Sequence, residues 1–476
     1  MTLMQSGKTG ASGDQDLQGL SIVVGMGATG LSCARFLASV GADFALVDSR
    51  ERPPLLDEFT RIFPEAKIEL GGFSPSTLAS AQRLIVSPGI SLSTPAIEEQ
   101  IANGVEVLGD IALFARRVSA PIIAVTGSNG KSTVVALLAA ILRAEGRSFG
   151  LGGNLDGENF KPALDLLLEQ DYGIYILELS SFQLETTDAL GAAAVALLNL
   201  SEDHMDRYVD KTAYLTAKQK IFNGAQCAVI NADDPLTQAP AAVQTRLSYK
   251  PSGLLAAGFG VGRDKVTGRR SLCWQETPFL SVDDMRLIGE HNVANSLAAA
   301  ALAMAVGVSL EAIASGIREF PGLAHRCQWV AKLAGVDFYN DSKGTNVGAA
   351  LASIEGIGSR LAADDDAAKL HLIAGGEGKG ADFSPLAPAL ACYARSIVLI
   401  GKDAPRIAEA IETGCGDCEI LFAQDMQEAV AFARDKAQAG DAVLLSPACA
   451  SFDMFDNFQH RGECFTSCVR DLGVGN

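Results

Sequence analysis

The sequence predicts an α/β protein built from three doubly wound, Rossmann-like domains, and three observations carry the prediction. Short apolar strands alternate with Gly-bearing turns and amphipathic helices along the chain, the pattern of doubly wound sheets. That pattern restarts after about residue 118 and again after about residue 323. At 476 residues the chain is also too long for one hydrophobic core, given roughly 100 to 200 residues per domain.

The first domain, 1–118, opens after a polar, Gly/Ser-rich tail ending near Gly19. Its strands are expected at Ser21–Val24, Phe44–Val47, Leu84–Val86 and Val105–Val107, with a helix starting near Thr29. Pro121 opens the second domain, 119–323, with strands at Ile122–Val125, Ile174–Leu177, Val195–Leu198 and Cys227–Ile230 and an Ala-rich helix from about Asn292 to Val306. Phe320 to Leu323, holding Pro321 and Gly322, reads as the next linker. The third domain, 324–476, has strands at Val336–Tyr339, His371–Ala374, Ile397–Ile400 and Ala442–Leu445.

Composition narrows the function. The apolar runs are strand-length, well short of the ~18 residues of a membrane span, and the tail lacks a basic start followed by an apolar core. No membrane span is expected, and the expected location is the cytoplasm. A net charge of -18 argues against nucleic acid as a partner, because duplex binding is driven by Lys and Arg releasing counterions. The ten cysteines are expected as reduced thiols, and Cys415-Gly-Asp-Cys418, with no second CxxC or matching His pair, as a turn.

Two Gly-rich turns carry chemistry. Gly25-Met-Gly-Ala-Thr-Gly30 follows a strand and opens a helix, and Asp48 ends the next strand. This is the arrangement that lets a backbone approach a pyrophosphate beside a ribose-like hydroxyl, in a dinucleotide or a UDP group alike. The stronger motif is Thr126-Gly-Ser-Asn-Gly-Lys-Ser-Thr133. Its N–H groups suit phosphates, Lys131 suits the β/γ oxygens, and the Ser132 hydroxyl can reach Mg²⁺. The loop is two residues tighter than G-x-x-x-x-G-K-[ST]. Glu178, at the carboxyl end of a buried strand, is placed to hold Mg²⁺, and His204 in the polar burst Asn199–Arg207 is a candidate second ligand.

Together with Leu177-Glu-Leu-Ser-Ser-Phe-Gln183, Gly289-Glu-His-Asn-Val-Ala-Asn295, His325-Arg326 and Asn340-Asp-Ser-Lys-Gly-Thr-Asn346, these motifs stand in the order seen in Mur ligases, and the chain resembles that family from about Gly25 to Phe458. The resemblance is greatest to the members that add D-glutamate. It implies a UDP-binding first domain, a central ATP-binding Mur ligase domain, and UDP-N-acetylmuramoyl-L-alanine and D-glutamate as substrates of a monomer. It also implies residue roles. Ala28, Thr29, Asp48, Ser49, Arg50 and Gly89 would meet uridine and pyrophosphate, and Asn154 and Ser180 the substrate and phosphate. Gly127, Ser128, Asn129, Gly130, Lys131, Ser132, Thr133, Asn292, Asn295, Arg326 and Asp341 would serve ATP. Lys343, Thr345, Lys379, Ser451, Phe452 and Phe458 would surround D-glutamate. Lys131, Glu178, His204 and Lys218 would be catalytic. Ser132, Glu178, His204 and Lys218 would hold two Mg²⁺ ions, Lys218 as a CO₂-derived carbamate, whereas Lys220 on another helix face would have no role. No role is carried onto the segment 155–161 just after Asn154, which is acidic for a loop lining an anionic substrate.

The activity so implied is amide formation through an acyl phosphate made with ATP. The alternatives are another amino-acid-adding Mur ligase, a folylpolyglutamate synthase, which would lack the Asp48-bearing domain, a nicotinamide oxidoreductase, and a non-catalytic UDP-sugar-binding protein, which would need a broken ATP site.

Overall fold

The computed structural model describes residues 17–154, 161–200, 207–287, 289–365, 367–378 and 380–474. Its strands form three sheets. In the first, β1 (Ser21–Val24), β2 (Phe44–Asp48), β3 (Lys67–Leu70), β4 (Arg83–Val86) and β5 (Glu106–Leu108) run parallel in the order β3-β2-β1-β4-β5. The order reverses beside β1, so its carboxyl end opens onto a crevice where ligands of such sheets bind.

The second sheet contains β6 (Ile122–Thr126), β7 (Gly150–Gly153), β8 (Tyr175–Glu178), β9 (Ala194–Leu197), β10 (Cys227–Asn231), β11 (Thr245–Lys250), β12 (Gly258–Arg263), β13 (Arg270–Trp274) and β14 (Thr277–Ser281), in the order β14-β13-β12-β11-β10-β9-β6-β8-β7. β6 lies between β8 and β9, with Val125 opposite Glu178 and Thr126 opposite Leu197. The third sheet orders β15 (Gln328–Leu333), β16 (Val336–Asn340), β17 (Leu370–Gly375), β18 (Ala394–Ile400), β19 (Glu419–Phe422) and β20 (Ala442–Leu445) as β15-β16-β20-β17-β18-β19. Only β15 is antiparallel to its neighbour among the described pairs of that sheet. The chain packs as two compact units. One is 1–262 with 272–279 and 295–316, which holds the first sheet and the parallel part of the second; the other is 263–271 with 280–294 and 317–476, which holds the third sheet.

The central strands β1, β4, β6, β8, β9 and β20 are buried at every residue. Strands covered on both faces are apolar apart from end residues with polar partners, such as Arg83 and Glu178, which is why they are legible as short runs. Truncating one such side chain, for example Ile123→Ala, is expected to cost about 2–5 kcal/mol. The strand Gly150-Leu-Gly-Gly153 carries no such signal. A Cβ on Gly153 would collide with the Glu178 carbonyl and one on Gly152 would sit 2.6 Å from the Lys161 carbonyl, so close backbone approach rather than β propensity placed these residues. The Ala-rich helix runs from Glu290 to Ala305.

A buried polar knot ties β17 to its neighbours at the amino-terminal ends of the strands, away from where ligands gather. His371 is fully buried, with Nδ1 2.8 Å from Ser396 Oγ and Nε2 3.1 Å from Asp441 Oδ2. It has the composition of a hydrolytic triad but no solvent access. Burial lowers the His371 pKa, with Asp441 pulling the other way. A depressed folded pKa gives stability that is present above the unfolded value near ~6.5 and lost as pH falls through the folded one. Thermal midpoints between pH 7 and pH 5 are therefore expected to fall for the native chain and to change less for His371→Gln, whose midpoint is lower throughout.

Candidate active site

The phosphate loop joins β6 to the helix Lys131–Ala144. Gly130, before that helix, has φ 82°, a conformation that costs an L-residue with a Cβ. A Cβ there would also collide with Asn295 Oδ1. Lys131 Nζ donates to the carbonyls of Gly127 and Ser128, both at 3.0 Å. Lys218, 2% exposed, donates to the same Gly127 carbonyl at 2.9 Å and lies 3.5 Å from Thr126 Oγ1. Two ammonium groups thus converge on one carbonyl of a loop beside a helix amino terminus, a concentration of positive potential suited to a polyphosphate.

Two residues not singled out from the sequence hold this loop. Asn199, just beyond β9, accepts the Asn129 N–H at 2.8 Å, donates to the Asn129 carbonyl at 3.0 Å, and through its own carbonyl accepts the Ser128 N–H at 3.1 Å. Tyr214, one helical turn before Lys218, places its ring 4.7 Å from Lys218 Nζ and its hydroxyl 3.3 Å from Ser128 Oγ. The i, i+4 spacing of Tyr214 and Lys218 was the available signal. Lys220, expected to have no role, donates to the Glu185 carbonyl at 2.6 Å, so its removal would be felt in stability.

Glu178 ends β8 beside the loop and is 2% exposed. Its Oε1 accepts from Asn154 Nδ2 at 3.3 Å, while the Asn154 N–H donates to the Glu178 carbonyl at 2.8 Å. Ser180 starts the helix Ser181–Glu185 as half of a capping box with Gln183. Ser132 and Thr133 lie half-buried in the first turn of the helix Lys131–Ala144. Among the described residues no group of three or more His, Cys, Asp or Glu side chains is placed to hold a metal. His204 lies outside the described residues, as does Lys379.

In the first sheet, Gly25 has φ 103°, and a Cβ on Gly30 would collide with the Gly25 carbonyl, so both glycines are required by the turn itself. Asp48 is 2% exposed and bound on both oxygens: Met26 N–H at 2.7 Å, and Arg50 through its backbone at 2.9 Å and guanidinium at 2.7–2.8 Å. Burial raises its pKa, but these hydrogen bonds outweigh it and hold the carboxylate below the usual range. A ligand hydroxyl would have to share oxygens already in use. Ala28, Ser49, Arg50 and Gly89 are exposed around this turn, and Thr29 is half-buried.

The third sheet presents its own cluster. Asp341 follows β16 and accepts from Ser353 and Ser446 hydroxyls, each at 2.7 Å, and from the Cys327 N–H at 3.1 Å. Burial raises its pKa against those hydrogen bonds. Lys343 Nζ stands 4.1 Å from the Phe458 ring centroid, Thr345 N–H donates to the Lys343 carbonyl, Ser451 is buried, and Phe452 and Arg326 are exposed. Beneath lies Arg461, fully buried, which donates to Ser342 Oγ at 3.0 Å, the Ser342 carbonyl at 2.9 Å and the Cys449 carbonyl at 3.1 Å. It ties the Ser342–Thr345 turn to the segment before Ser451, and nothing in the sequence marked it. Asn292 and Asn295 are each 8% exposed on the helix Glu290–Ala305. All ten cysteines are free thiols; Cys415 and Cys418 are both buried.

The chain is similar to known proteins over nearly its full length. Residues 20–109 match the family model for the Mur ligase MurD-like N-terminal domain, 125–303 that for the Mur ligase middle domain, and 325–449 that for the Mur ligase glutamate ligase domain. The chain is 48% identical over 453 residues to the UDP-N-acetylmuramoylalanine–D-glutamate ligase of Pseudomonas syringae pv. tomato, covering 95% of this chain and 98% of that one. The enzyme of the same name from Nitrosococcus oceani is 48% identical over 456 residues, covering 95% and 96%. Among solved structures, the UDP-N-acetylmuramate-alanine ligase of Thermotoga maritima superposes with a TM-score of 0.57 at 17% identity, over 96% of this chain and 100% of that one. The MurF ligase of the same organism, solved in complex with ADP, gives 0.55 at 16%, over 96% and 97%. At such identities the two structures establish the fold alone.

Proposed function

The chain belongs to the Mur ligase family, and from that membership we infer that it is the ATP-dependent, ADP-forming ligase that joins D-glutamate to UDP-N-acetylmuramoyl-L-alanine in peptidoglycan precursor synthesis. One observation carries this reading: near-half identity across 95% of the chain to enzymes of that name. No described helix is long and apolar enough to cross a membrane. The proposed setting is the cytoplasm, with a monomer of the domains 1–118, 119–323 and 324–476.

The chemistry follows from charge. A carboxylate resists attack by an amine until one of its oxygens becomes a leaving group. The L-alanine carboxylate oxygen attacks the γ-phosphorus, the bond to the β–γ bridging oxygen breaks, and ADP leaves, giving an acyl phosphate. The D-glutamate amine then adds to the acyl carbon, inorganic phosphate departs with the carbon–oxygen electron pair, and the amine releases a proton. The first step brings anions together, and Lys131, held at the Gly127 and Ser128 carbonyls, supplies compensating charge.

The loop residues Gly127–Thr133 with Asn292, Asn295, Arg326 and Asp341 are proposed for ATP, and Ala28, Thr29, Asp48, Ser49, Arg50, Gly89, Asn154 and Ser180 for the UDP-sugar. Mg²⁺ prefers oxygen ligands. The buried Glu178 carboxylate and the Ser132 hydroxyl fit it, and His204 and a carbamate on Lys218 complete the proposed set. When bound, the metal would stabilise charge on the transferring phosphoryl group.

Lys343, Thr345, Lys379, Ser451, Phe452 and Phe458 are proposed for D-glutamate. Lys379→Ala is expected to raise the KM for D-glutamate roughly tenfold to hundredfold, the scale of one charge-assisted hydrogen bond, with little change for ATP. Equal effects on both would remove Lys379 from the D-glutamate set. The reading as a whole is tested by phosphate release from ATP with UDP-N-acetylmuramoyl-L-alanine, comparing D-glutamate with L-glutamate, meso-diaminopimelate and L-alanine. Only D-glutamate should support turnover.

A further inference from the structure

Asp110 is a buried acid outside the groups considered so far. It is the first residue of the helix Asp110–Ala115 and is 1% exposed. Burial pushes its pKa up to about 6, against a pull from Gln183 and from backbone N–H groups at the start of the helix. Among the described residues its one side-chain hydrogen bond is from Gln183 Nε2 to Oδ2, at 3.1 Å, and Oδ1 has no partner. A charge-bearing group this buried is costly unless paired and hydrogen-bonded, and here one oxygen is not.

Gln183 leads to the active site. Its Oε1 lies 3.2 Å from the Ser180 N–H donor and 3.4 Å from Ser180 Oγ, and its own N–H donates to Ser180 Oγ at 3.1 Å. Ser180 stands two residues beyond Glu178. An amide side chain has one donating and one accepting end, and the two ends look nearly alike in shape. An ionised carboxylate only accepts, so Asp110 can take only the Nε2 end, which leaves Oε1 facing Ser180. The close approach is built in. The Gly109 N–H meets the Thr186 carbonyl at 3.4 Å, and a Cβ on Gly109 would collide with Thr186 Oγ1.

We propose that Asp110 is a positioning residue for the ligase reaction, acting through the Gln183 amide to hold Ser180 in the orientation that the phosphoryl-transfer site requires. The proposal rests on the reading of Ser180 as a residue facing substrate and phosphate.

The test is a set of variants assayed for kcat, for KM of each substrate and for thermal midpoint. Asp110→Ala should lower kcat roughly tenfold to hundredfold, as loss of a group supporting an active-site residue does, with the KM for ATP within about threefold. Gln183→Glu sets two carboxylates against each other and should lose activity to a similar degree. The double variant Asp110→Asn with Gln183→Glu exchanges amide and carboxylate along the same hydrogen bond, and should recover most of the activity lost in Gln183→Glu. A kcat that falls in Gln183→Glu and recovers in the exchange while the folded fraction at the assay temperature stays unchanged is not expected of a residue that merely stabilises the fold, and the exchange still decides the matter if Asp110→Ala does not fold. An additive, still weaker double variant, or a fully active Asp110→Ala, overturns the proposal. Ser180→Ala separates the two readings: impaired Ser180→Ala beside fully active Asp110→Ala refutes the relay alone, whereas fully active Ser180→Ala removes the role of Ser180 and the relay with it.

Discussion

Lys131→Ala is expected to lose turnover by at least 10²–10³-fold, the order found when one preorganised donor to a developing charge is removed, while the affinity for UDP-N-acetylmuramoyl-L-alanine stays within a few-fold. The first effect follows from the position of Nζ, held at 3.0 Å by two carbonyls of the loop proposed to take the phosphates, and so preorganised within it. The second follows from the separation of sites. The turn proposed to take UDP, Gly25–Gly30 with Asp48, belongs to another sheet and has its own hydrogen bonds. ADP production measures the first quantity and titration calorimetry without ATP the second. Near-normal kcat would remove the phosphate-loop assignment, and a large loss of UDP-sugar affinity would show that the two sites are not independent.

Lys218→Ala is expected to be as severe. Lys218 is almost wholly buried, reaches the Gly127 carbonyl at 2.9 Å and packs over the Tyr214 ring. The ammonium and a carbamate both have a use there, one as a cation near phosphate, the other as an oxygen ligand for Mg²⁺. They differ in what they need. Carbamate formation joins the neutral amine nitrogen to CO₂ carbon and releases a proton, and a lysine with an ordinary pKa near ~10.4 is rarely neutral at pH 7. Depleting CO₂ and bicarbonate at mildly acidic pH should therefore lower wild-type activity, and adding bicarbonate should restore it. Activity indifferent to bicarbonate but lost in Lys218→Ala would assign the ammonium itself. Lys220→Ala should show a lower thermal midpoint, from the lost bond to the Glu185 carbonyl, with kcat little changed.

Much of the fold was legible because of what buried parallel strands demand. Ile122–Thr126 and Ala442–Leu445 lie in mid-sheet, so every residue is apolar or internally satisfied, and a short apolar run after a turn announces them. Gly150–Gly153 and β11 to β14 were not legible. The first is a strand because backbone must pass close to the Glu178 carbonyl, and Thr245–Lys250 is half exposed and mixed in composition. Neither reason leaves a periodic trace.

The candidate site divides in the same way. Gly130, Lys131, Ser132 and Glu178 are local necessities of a phosphate-binding turn and a strand end, so residue types in order within a short window identified them. By itself the sequence determined the α/β class and the family and picked out the candidate site residues, because those depend on short-range pattern and on motif order. Tertiary structure alone decided that Asn199 staples the loop, that Lys218 shares a carbonyl with Lys131, that Arg461 ties the Ser342 turn beneath Lys343, and that Asp110 reaches Ser180 through Gln183. Each of these, apart from the Lys218–Lys131 convergence, is a wholly or partly buried polar group held by hydrogen bonds. Its partner stands wherever the fold brings one, often 70 or more residues away along the chain, a separation on which local sequence carries no information.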